Sequence, residues 1–338
     1  MDKFGFIGHP IEIKDFYKLN SAIRFIPNKI LESSLKWIPP FKVSEIRGIR
    51  STTGKEIGGF LIGCPLLPKQ MLELDEDFVL QKIIAAGKIA ERLGAEIIGL
   101  GGYTSIVGDK GYTIAENLKT PVTSGNSYTA YSTCEAVCRM GRAKNLDLKT
   151  STVAVIGATG SIGSLCTKKL SECVGKIIIN ARHRAKLESL QEEVHNRKLA
   201  EVTVEEITKR AVKNADIVIT TTSAPEALFD IEDLKLGAIV CDVSVPKNIA
   251  GRNNPKSGIT IIEGGLIKLP YPPDFGVDIG LPQGIVYACM AETMLLTLEG
   301  KFVSYSLGDA IGLDKLDEIA AIGFKHGFEV FLPNIPLH

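Results

Sequence analysis

Three evenly spaced glycines carry the clearest chemical signal in the sequence. Gly157, Gly160 and Gly163 directly follow the apolar run 152–156, which is typical of a buried strand, and they stand where a helix begins. Glycines there permit a tight turn and let the backbone approach a pyrophosphate, which meets the free N–H groups of the helix start. Because the chain contains 33 glycines, the alternative is a purely structural turn. We predict a dinucleotide-binding loop made of Gly157, Ala158, Thr159, Gly160, Ser161, Ile162 and Gly163.

The residues after the second apolar run distinguish between the two nicotinamide cofactors. NAD-binding proteins place a carboxylate there for the ribose 2′-hydroxyl, whereas this chain reads NARHR at 180–184. Arginine can pair with a 2′-phosphate through charge-assisted hydrogen bonds, so Arg182 and Arg184 predict NADPH as the cofactor. The alternative is that both arginines only form the solvated start of a helix. The predicted cofactor site also includes Thr221, Thr222 and Ser223, which belong to the segment ADIVITTTSAP.

One of the seven cysteines has the position of a nucleophile. Cys289 follows a loop rich in proline and glycine and lies in the early turns of a helix that is predicted to begin near Gly284. A helix N-terminus lowers the pKa of a thiol and makes the thiolate available for attack. The alternative is a small core residue, as for the other six. Because the cysteines are scattered without paired CxxC spacing, we expect reduced thiols and no metal site.

The elements around these residues predict an α/β fold. Apolar runs of strand length alternate with stretches of helical character from about residue 150, which favours a Rossmann-type doubly wound parallel sheet. We expect an N-terminal α/β substrate domain and C-terminal helices that pack back on it. The predicted boundaries are 1–125 for the N-terminal domain, 126–149 for a connecting helix, 150–270 for the Rossmann domain, and 271–338 for a loop and the C-terminal helices.

The charge balance argues against bulk electrostatic binding. Lysine plus arginine and aspartate plus glutamate both number 39, so no overall field favours nucleic acid or an anionic membrane. A polyanionic partner would have to be recognised by a local patch. The sequence contains no apolar stretch of about 18 residues. We therefore expect a soluble, cytoplasmic protein that has no integral membrane span and does not bind nucleic acid.

Several motifs resemble those of the cyanobacterial long-chain acyl-acyl carrier protein reductases, along nearly the whole chain. There is a looser likeness to shikimate dehydrogenase-type NADP-binding folds. The motifs are FGFIGH near the start, GGYTSI at 101–106, GNSYTAY at 125–131, VAVIGATGSIGS at 153–164, PKN at 246–248, ACMAETMLLTLEG at 288–300 and KHGF at 325–328.

The resemblance implies a reaction and its participants. Members of this family reduce fatty acyl thioesters to fatty aldehydes with NADPH through a cysteine acyl-enzyme, and their nucleophile matches Cys289. The implied acyl donor is acyl carrier protein, with acyl-CoA as a second possibility, and a further enzyme could consume the aldehyde in hydrocarbon biosynthesis. Residues 11–40 and the segment after Gly265 match the family poorly. We expect these regions to shape the acyl pocket and the carrier-docking face.

Five polar residues are candidates for supporting roles. Asn126 and Thr129 of GNSYTAY, with Thr104 and Ser105 of GGYTSI, could bind the substrate carbonyl or the nicotinamide, although Asn126 could equally cap a helix. His326 could protonate the leaving thiol, or it could be structural. Two other functions remain open. One is an NADP-dependent dehydrogenase of a small hydroxy acid or pterin, and the other is a nucleotide-sensing protein without turnover.

Overall fold

A computed structural model describes residues 1–19, 21–197, 200–224, 227–244, 249–250 and 258–332. The chain folds into two compact units. The first unit comprises Met1–Asn126, Ile267–Gly308 and Glu318–Glu329, and the second comprises Ser127–Leu266, Asp309–Asp317 and Val330–His338.

The first unit is built on a five-stranded sheet. Its strands are β1 (Lys3–Gly8), β2 (Phe41–Arg50), β3 (Glu56–Gly63), β4 (Ile97–Leu100) and β5 (Val122–Thr123). Their order is β2-β3-β1-β4-β5. Only the β2–β3 hairpin is antiparallel, whereas β1 pairs in parallel with both β3 and β4. The turn of the hairpin contains Thr53 and Gly54, and Gly54 has a positive φ of +85°.

Six helices accompany this sheet in sequence. They are α1 (Asp15–Leu19), α2 (Asn28–Leu35), α3 (Pro68–Glu73), α4 (Glu76–Arg92), α5 (Tyr112–Glu116) and α6 (Asn126–Ala143). The ends of α4 follow from its sequence. Asp75 caps its first turn by accepting a hydrogen bond from the Phe78 N–H at 3.0 Å, and Gly94 adopts the left-handed conformation (φ +84°) just beyond its end. Between these ends, Val79, Ile83 and other apolar residues are buried in the core of the unit.

The second unit contains a six-stranded parallel sheet of the Rossmann type. In this unit lie β6 (Thr152–Ile156), α7 (Ser161–Leu170), β7 (Lys176–Asn180), α8 (Arg184–Asn196), β8 (Glu201–Val204), α9 (Thr208–Lys213), β9 (Ile217–Thr220), β10 (Phe229–Asp230), β11 (Ile239–Asp242), β12 (Ile249–Ala250) and β13 (Thr260–Glu263). The sheet order is β13-β11-β9-β6-β7-β8, and β10 pairs separately with β12. This is the doubly wound order, which reverses direction between β6 and β9. The predicted fold class is therefore confirmed.

The C-terminal part of the chain supplies three further strands and two helices. These are β14 (Leu266–Lys268), β15 (Ile285–Tyr287), α10 (Ala288–Glu299), α11 (Leu313–His326) and β16 (Glu329–Val330), with the sheet order β15-β14-β16. Helix α10 packs closely on β4, because a Cβ added to Gly99 would lie 2.1 Å from Oγ1 of Thr293. Only glycine lets the helix approach the strand so closely at this position. Within the described residues no helix has the length and apolarity to cross a bilayer.

Candidate functional site

Cys289 is the second residue of α10 and is partly exposed. Its position is fixed from two sides. Thr293, one turn further on, donates its hydroxyl to the Cys289 carbonyl oxygen at 3.1 Å. Gly125, which has a positive φ of +76°, lies directly against the cysteine, since an added Cβ would be 2.2 Å from Cα of Cys289. Glycine is therefore required at 125 by both conformation and space.

Three backbone N–H groups act on the thiol of Cys289. Burial of the sulfur is the largest influence and raises its pKa to about 11, whereas the N–H groups of Met290, Cys289 itself and Gly102 lower it. The expectation of a lowered thiol pKa is thus reversed, because desolvation outweighs the helix start. A thiol with this pKa is almost entirely neutral at pH 7. The same N–H groups would stabilise negative charge on the sulfur.

His9 holds the turn that presents the Gly102 N–H. Residues Gly102–Ser105 form a short 3-10 helix, in which the Tyr103 N–H donates to Nε2 of His9 at 2.9 Å. Nδ1 of His9 lies 3.0 Å from the Pro10 carbonyl oxygen, so the proton sits on Nδ1 and Nε2 accepts. Burial lowers the pKa of His9, which favours this neutral tautomer. Sequence reasoning did not single out His9, although FGFIGH contains it.

Thr104 and Ser105 lie in this same turn and are buried. The Thr104 hydroxyl donates to the Gly101 carbonyl oxygen at 2.9 Å, and the Ser105 hydroxyl donates to the Gly102 carbonyl oxygen at 2.8 Å. Both hydroxyl protons are therefore engaged in holding the turn. The structure brings these two residues close to Gly102, so their contribution to the thiol environment is through the backbone that they support.

Asn126 and Thr129 begin α6 and are both nearly buried. Asn126 follows Gly125 and belongs to the first unit, and its backbone N–H faces Oγ of Ser124 at 3.4 Å, as in a helix cap. Thr129 belongs to the second unit, where its methyl group lies 3.5 Å from the Cβ position of Gly265. The predicted group of supporting residues is thus divided between the two units.

Glu292 is a further functional candidate that sequence reasoning missed. It is completely buried on α10, three residues after Cys289, and Oγ1 of Thr123 donates to its carboxylate at 2.5 Å. Its charge acts on the thiol and opposes ionisation. Residues at this spacing share one face of a helix. The motif ACMAETMLL contains the signal, a carboxylate one turn after the cysteine in an otherwise apolar segment.

His326 lies elsewhere in the first unit. Its Nδ1 is 2.7 Å from Oγ of Ser51, and its Nε2 is 3.0 Å from a carboxylate oxygen of Glu299. Glu299 is the last residue of α10 and lies ten residues after Cys289, which corresponds to about 15 Å along the helix axis. Burial lowers the pKa of His326, and Glu299 partly counteracts that shift. The structure does not bring this histidine together with the thiol.

The glycine loop of the second unit has the close packing that a dinucleotide site needs. Gly157 has a φ of +86°, and a Cβ on Gly163 would lie 2.3 Å from the Gly157 carbonyl oxygen. Gly160 is the N-cap of α7, and a Cβ there would meet only that same oxygen, at 3.4 Å. Thr221 donates its hydroxyl to the Ile156 carbonyl oxygen at 3.1 Å, which braces the loop.

The other residues of the predicted loop and site vary in burial. Thr159 and Ile162 are partly exposed, while Ala158 and Ser161 are buried. Thr222 accepts a hydrogen bond from the Ala224 N–H at 3.1 Å. Ser223 directly follows Thr222 and is partly exposed. The loop therefore leaves Gly157, Thr159, Gly160 and Ile162 as its accessible part.

The two arginines at the end of β7 differ in their surroundings. Arg184 forms ion pairs with Glu188 and Glu206, both at 2.8 Å. Arg182 is exposed and forms no ion pair with any described residue. The Arg182 guanidinium thus has its full hydrogen-bonding capacity for a phosphate, whereas that of Arg184 is shared with two carboxylates. In the part of the chain that the structure describes, no three His, Cys, Asp or Glu residues are grouped as metal ligands.

Comparison with known proteins shows what the chain is similar to. Residues 140–263 match the shikimate/quinate 5-dehydrogenase family. The chain is 29% identical to the long-chain acyl-[acyl-carrier-protein] reductase of Synechococcus elongatus, over 96% of this chain and 98% of that protein. It is 30% identical to the aminotransferase PigE of a Serratia species over 97% of this chain, which spans 40% of PigE. L-tryptophan dehydrogenase from Nostoc punctiforme has a solved structure with 14% identity over 96% of this chain and 79% of that one, at a TM-score of 0.39.

The resemblance indicated by the motifs is therefore confirmed along nearly the whole chain. The motif PKN at 246–248 lies outside the described residues. The relatives support a reductase that uses a nicotinamide cofactor. They do not identify the residues that perform the reaction, which rest on the geometry above.

Proposed function

We propose that this protein reduces long-chain fatty acyl thioesters to fatty aldehydes with NADPH, through an acyl-enzyme on Cys289. The observation that carries the proposal is the position of this thiol, partly exposed at the start of α10 and contacted by the N–H groups of Gly102 and Met290. Similarity to an acyl-[acyl-carrier-protein] reductase over 98% of that protein supports the same reaction.

In the first half-reaction the Cys289 sulfur attacks the thioester carbonyl carbon and the carrier thiol leaves. Because burial raises the thiol pKa to about 11, the attack requires a proton acceptor. Glu292 is one turn away on the same helix, so we assign it to accept this proton and to return it to the leaving sulfur. Once protonated, Glu292 no longer opposes the negative charge that develops on Cys289.

The carbonyl oxygen becomes negatively charged at each tetrahedral stage. The N–H groups of Gly102 and Met290 are the donors that we assign to it, since both already act on the adjacent sulfur. Removal of one such donor typically lowers kcat about a hundred- to a thousandfold. His9 contributes indirectly, because its bond to the Tyr103 N–H holds the turn that carries Gly102.

The second unit provides the residues that fit the cofactor. The loop from Gly157 to Gly163 lets a pyrophosphate approach the start of α7, and Arg182 is available to a 2′-phosphate. Bound NADPH would supply the hydride that reduces the acyl carbonyl. The tetrahedral oxyanion formed by hydride addition would then collapse to the aldehyde and the Cys289 thiolate, and the thiolate takes up a proton from solvent to regenerate the thiol.

Acyl carrier protein is the donor that we propose, with acyl-CoA as a second donor. The aldehyde product is reactive and poorly soluble in water, so an enzyme that consumes aldehydes would act next. Both assignments follow the similarity to the acyl-[acyl-carrier-protein] reductase, and the compartment that we propose for the reaction is the cytoplasm.

Intact-mass spectrometry after mixing with a long-chain acyl-CoA or acyl carrier protein tests the reaction class. The protein should gain the mass of one acyl group and lose it when NADPH is added, with release of aldehyde. Cys173 should first be replaced by serine, because its partly exposed thiol has a pKa of about 7 and would compete for acylation. Acylation that persists in Cys173→Ser/Cys289→Ser would contradict the proposed nucleophile.

The match of residues 140–263 to shikimate/quinate 5-dehydrogenase favours one alternative, an NADP-dependent dehydrogenase of a small hydroxy acid. That match covers the region of the Rossmann sheet and does not include Cys289. The alternative predicts NADPH turnover without any acyl-enzyme, so the same mass measurement separates the two functions.

A further inference from the structure

A short segment near the N-terminus exposes large apolar side chains. Phe25 is 84% exposed and Trp37 75%, with Ile30 at 59% and Ile26 at 41%. Single exposed apolar residues are common on protein surfaces, but four of this size within thirteen positions are not. The segment therefore calls for a partner.

The helix α2 turns these residues away from its own core. Leu31 and Leu35 of α2 are buried in a cluster with Phe16 and Leu67. A spacing of seven residues places Ile30 and Trp37 on one side of the helix, and Phe25 and Ile26 directly precede the helix. The backbone N–H of Trp37 donates to the Ser34 carbonyl oxygen at 2.9 Å, so the backbone keeps a helical turn as far as Trp37. We call Phe25, Ile26, Ile30 and Trp37 the apolar stripe.

Basic residues border the apolar stripe. Lys29 and Lys36 are seven residues apart and therefore share one flank of α2, and Arg24 lies just before it. Nζ of Lys36 is 5.2 Å from the centre of the Trp37 ring. None of these three cations forms an ion pair with a described residue. Because the chain as a whole has no net charge, this positive border is a local feature.

We propose that the apolar stripe docks on the surface of an anionic lipid bilayer. Tryptophan and phenylalanine are the side chains that settle at the boundary between acyl chains and headgroups, and lysine and arginine beside them pair with anionic lipids. An acidic protein would satisfy the cations but would not need four exposed apolar side chains. The proposal goes beyond the proposed reaction and does not depend on it.

The contact is peripheral. Helix α2 has 8 residues and is about 12 Å long, so it can lie in the interface but cannot span the membrane. Burial of several apolar side chains together with two or three electrostatic contacts gives reversible binding. An enzyme bound in this way would face the medium into which a long-chain product partitions.

Trp37 makes the test direct, because it is the only tryptophan in the chain. Its emission should shift to shorter wavelength when vesicles of phosphatidylcholine and phosphatidylglycerol are added to the full-length protein. Vesicles of phosphatidylcholine alone should give a smaller shift at equal lipid. The double variant Phe25→Ser/Ile30→Ser keeps the reporter and should lower vesicle affinity by at least about tenfold.

Flotation with the same vesicles supplies the controls. Lys29→Gln/Lys36→Gln should weaken binding to anionic vesicles and leave binding to neutral vesicles unchanged. Phe324→Ser is the matched control, since Phe324 is 89% exposed on α11 and belongs to no such group. Thermal unfolding verifies that each variant is folded, and acylation by a soluble acyl-CoA tests the proposed reaction independently.

Three results would overturn the proposal. One is an unchanged Trp37 emission with no flotation, and another is equal flotation of the wild-type protein and Phe25→Ser/Ile30→Ser. The third is a dimer that dissociates in Phe25→Ser/Ile30→Ser without any lipid effect, which would identify a second copy of the chain as the partner.

Discussion

Gly125→Ala should disable the thiol while leaving the cofactor site intact. A Cβ at this position would lie 2.2 Å from Cα of Cys289, whereas ordinary contacts begin at 3.4 Å, so the two backbones must separate by about 1.2 Å. A displacement of about 1 Å at the reacting group costs roughly a hundredfold in rate. The positive φ of +76° and the overpacking together should lower the free energy of unfolding by about 2–5 kcal/mol.

Gly48→Ala separates the effect of backbone conformation from the effect of overpacking. Gly48 has almost the same backbone conformation, with a φ of +74°, but nothing lies within 4 Å of its Cβ position. It should therefore lose only the conformational part, about 1–2 kcal/mol, and keep its acylation rate. Thermal unfolding measures the stability of both variants, and intact mass after a short exposure to acyl-CoA measures their acylation.

The NADPH affinity of Gly125→Ala should equal that of the wild-type protein, because the glycine loop belongs to the other unit. The variant must be assayed below the unfolding temperature that the thermal measurement gives, because NADPH binding in the second unit does not report the fold of the first. A folded Gly125→Ala protein that acylates at the wild-type rate would refute the assignment of Cys289 as the nucleophile or the packing against it.

Four further outcomes test the cofactor and thiol assignments. Cys289→Ser should bind NADPH but form no aldehyde, because a hydroxyl ionises far less than a thiol; turnover near the wild-type rate would favour the small hydroxy acid alternative. Arg182→Ala should weaken NADPH binding about ten- to a hundredfold and leave NADH binding unchanged. Arg184→Ala should lose less NADPH affinity, because the Arg184 guanidinium is already paired with two carboxylates. Equal losses in titrations with both cofactors would remove the 2′-phosphate assignment. Gly160→Val should fold but bind no NADPH in calorimetry, and normal binding would mean that the loop does not hold the pyrophosphate. Iodoacetamide at pH 7 should modify Cys173 well before Cys289, because the hydrogen bond with the Cys138 thiol lowers the pKa of Cys173 to about 7, whereas burial raises the pKa of Cys289 to about 11. The labelling of Cys289 should rise about tenfold per pH unit up to pH 10. Peptide mapping that shows the reverse order would contradict these environments.

The Rossmann sheet could be predicted from sequence because its signals are local. Each apolar run, such as 152–156, is bounded by turn residues, and the glycine loop connects a strand to a helix at a fixed spacing. The hairpin around Gly54 has a similarly local signal, since two strand-like runs stand on either side of a turn. Elements whose boundaries depend on distant partners were harder, and β14 to β16 were not predicted.

The candidate site was only partly predictable, since its chemistry depends on contacts between distant residues. Position at a helix start suggested Cys289 as a nucleophile, but the direction of its pKa shift depends on burial, which the sequence does not display. His9 and Gly125 gain their roles from a bond to Tyr103 and a contact with Cys289 that join segments more than ninety residues apart. Glu292 could have been found from its helical spacing alone.

The raised pKa of Cys289 is compatible with covalent catalysis and explains the arrangement of N–H groups around it. A thiol that is neutral in the resting protein gains little from the Gly102 and Met290 N–H groups before reaction. Their interaction strengthens only when charge develops on the sulfur and on the substrate oxygen, so it stabilises the transition state more than the ground state. A permanently ionised thiolate would already be stabilised by these donors, and part of their contribution to the rate would be lost. Because the thiolate is the reactive form, a neutral thiol reacts slowly with adventitious electrophiles, and proton removal by the assigned Glu292 can be coupled to the arrival of the thioester.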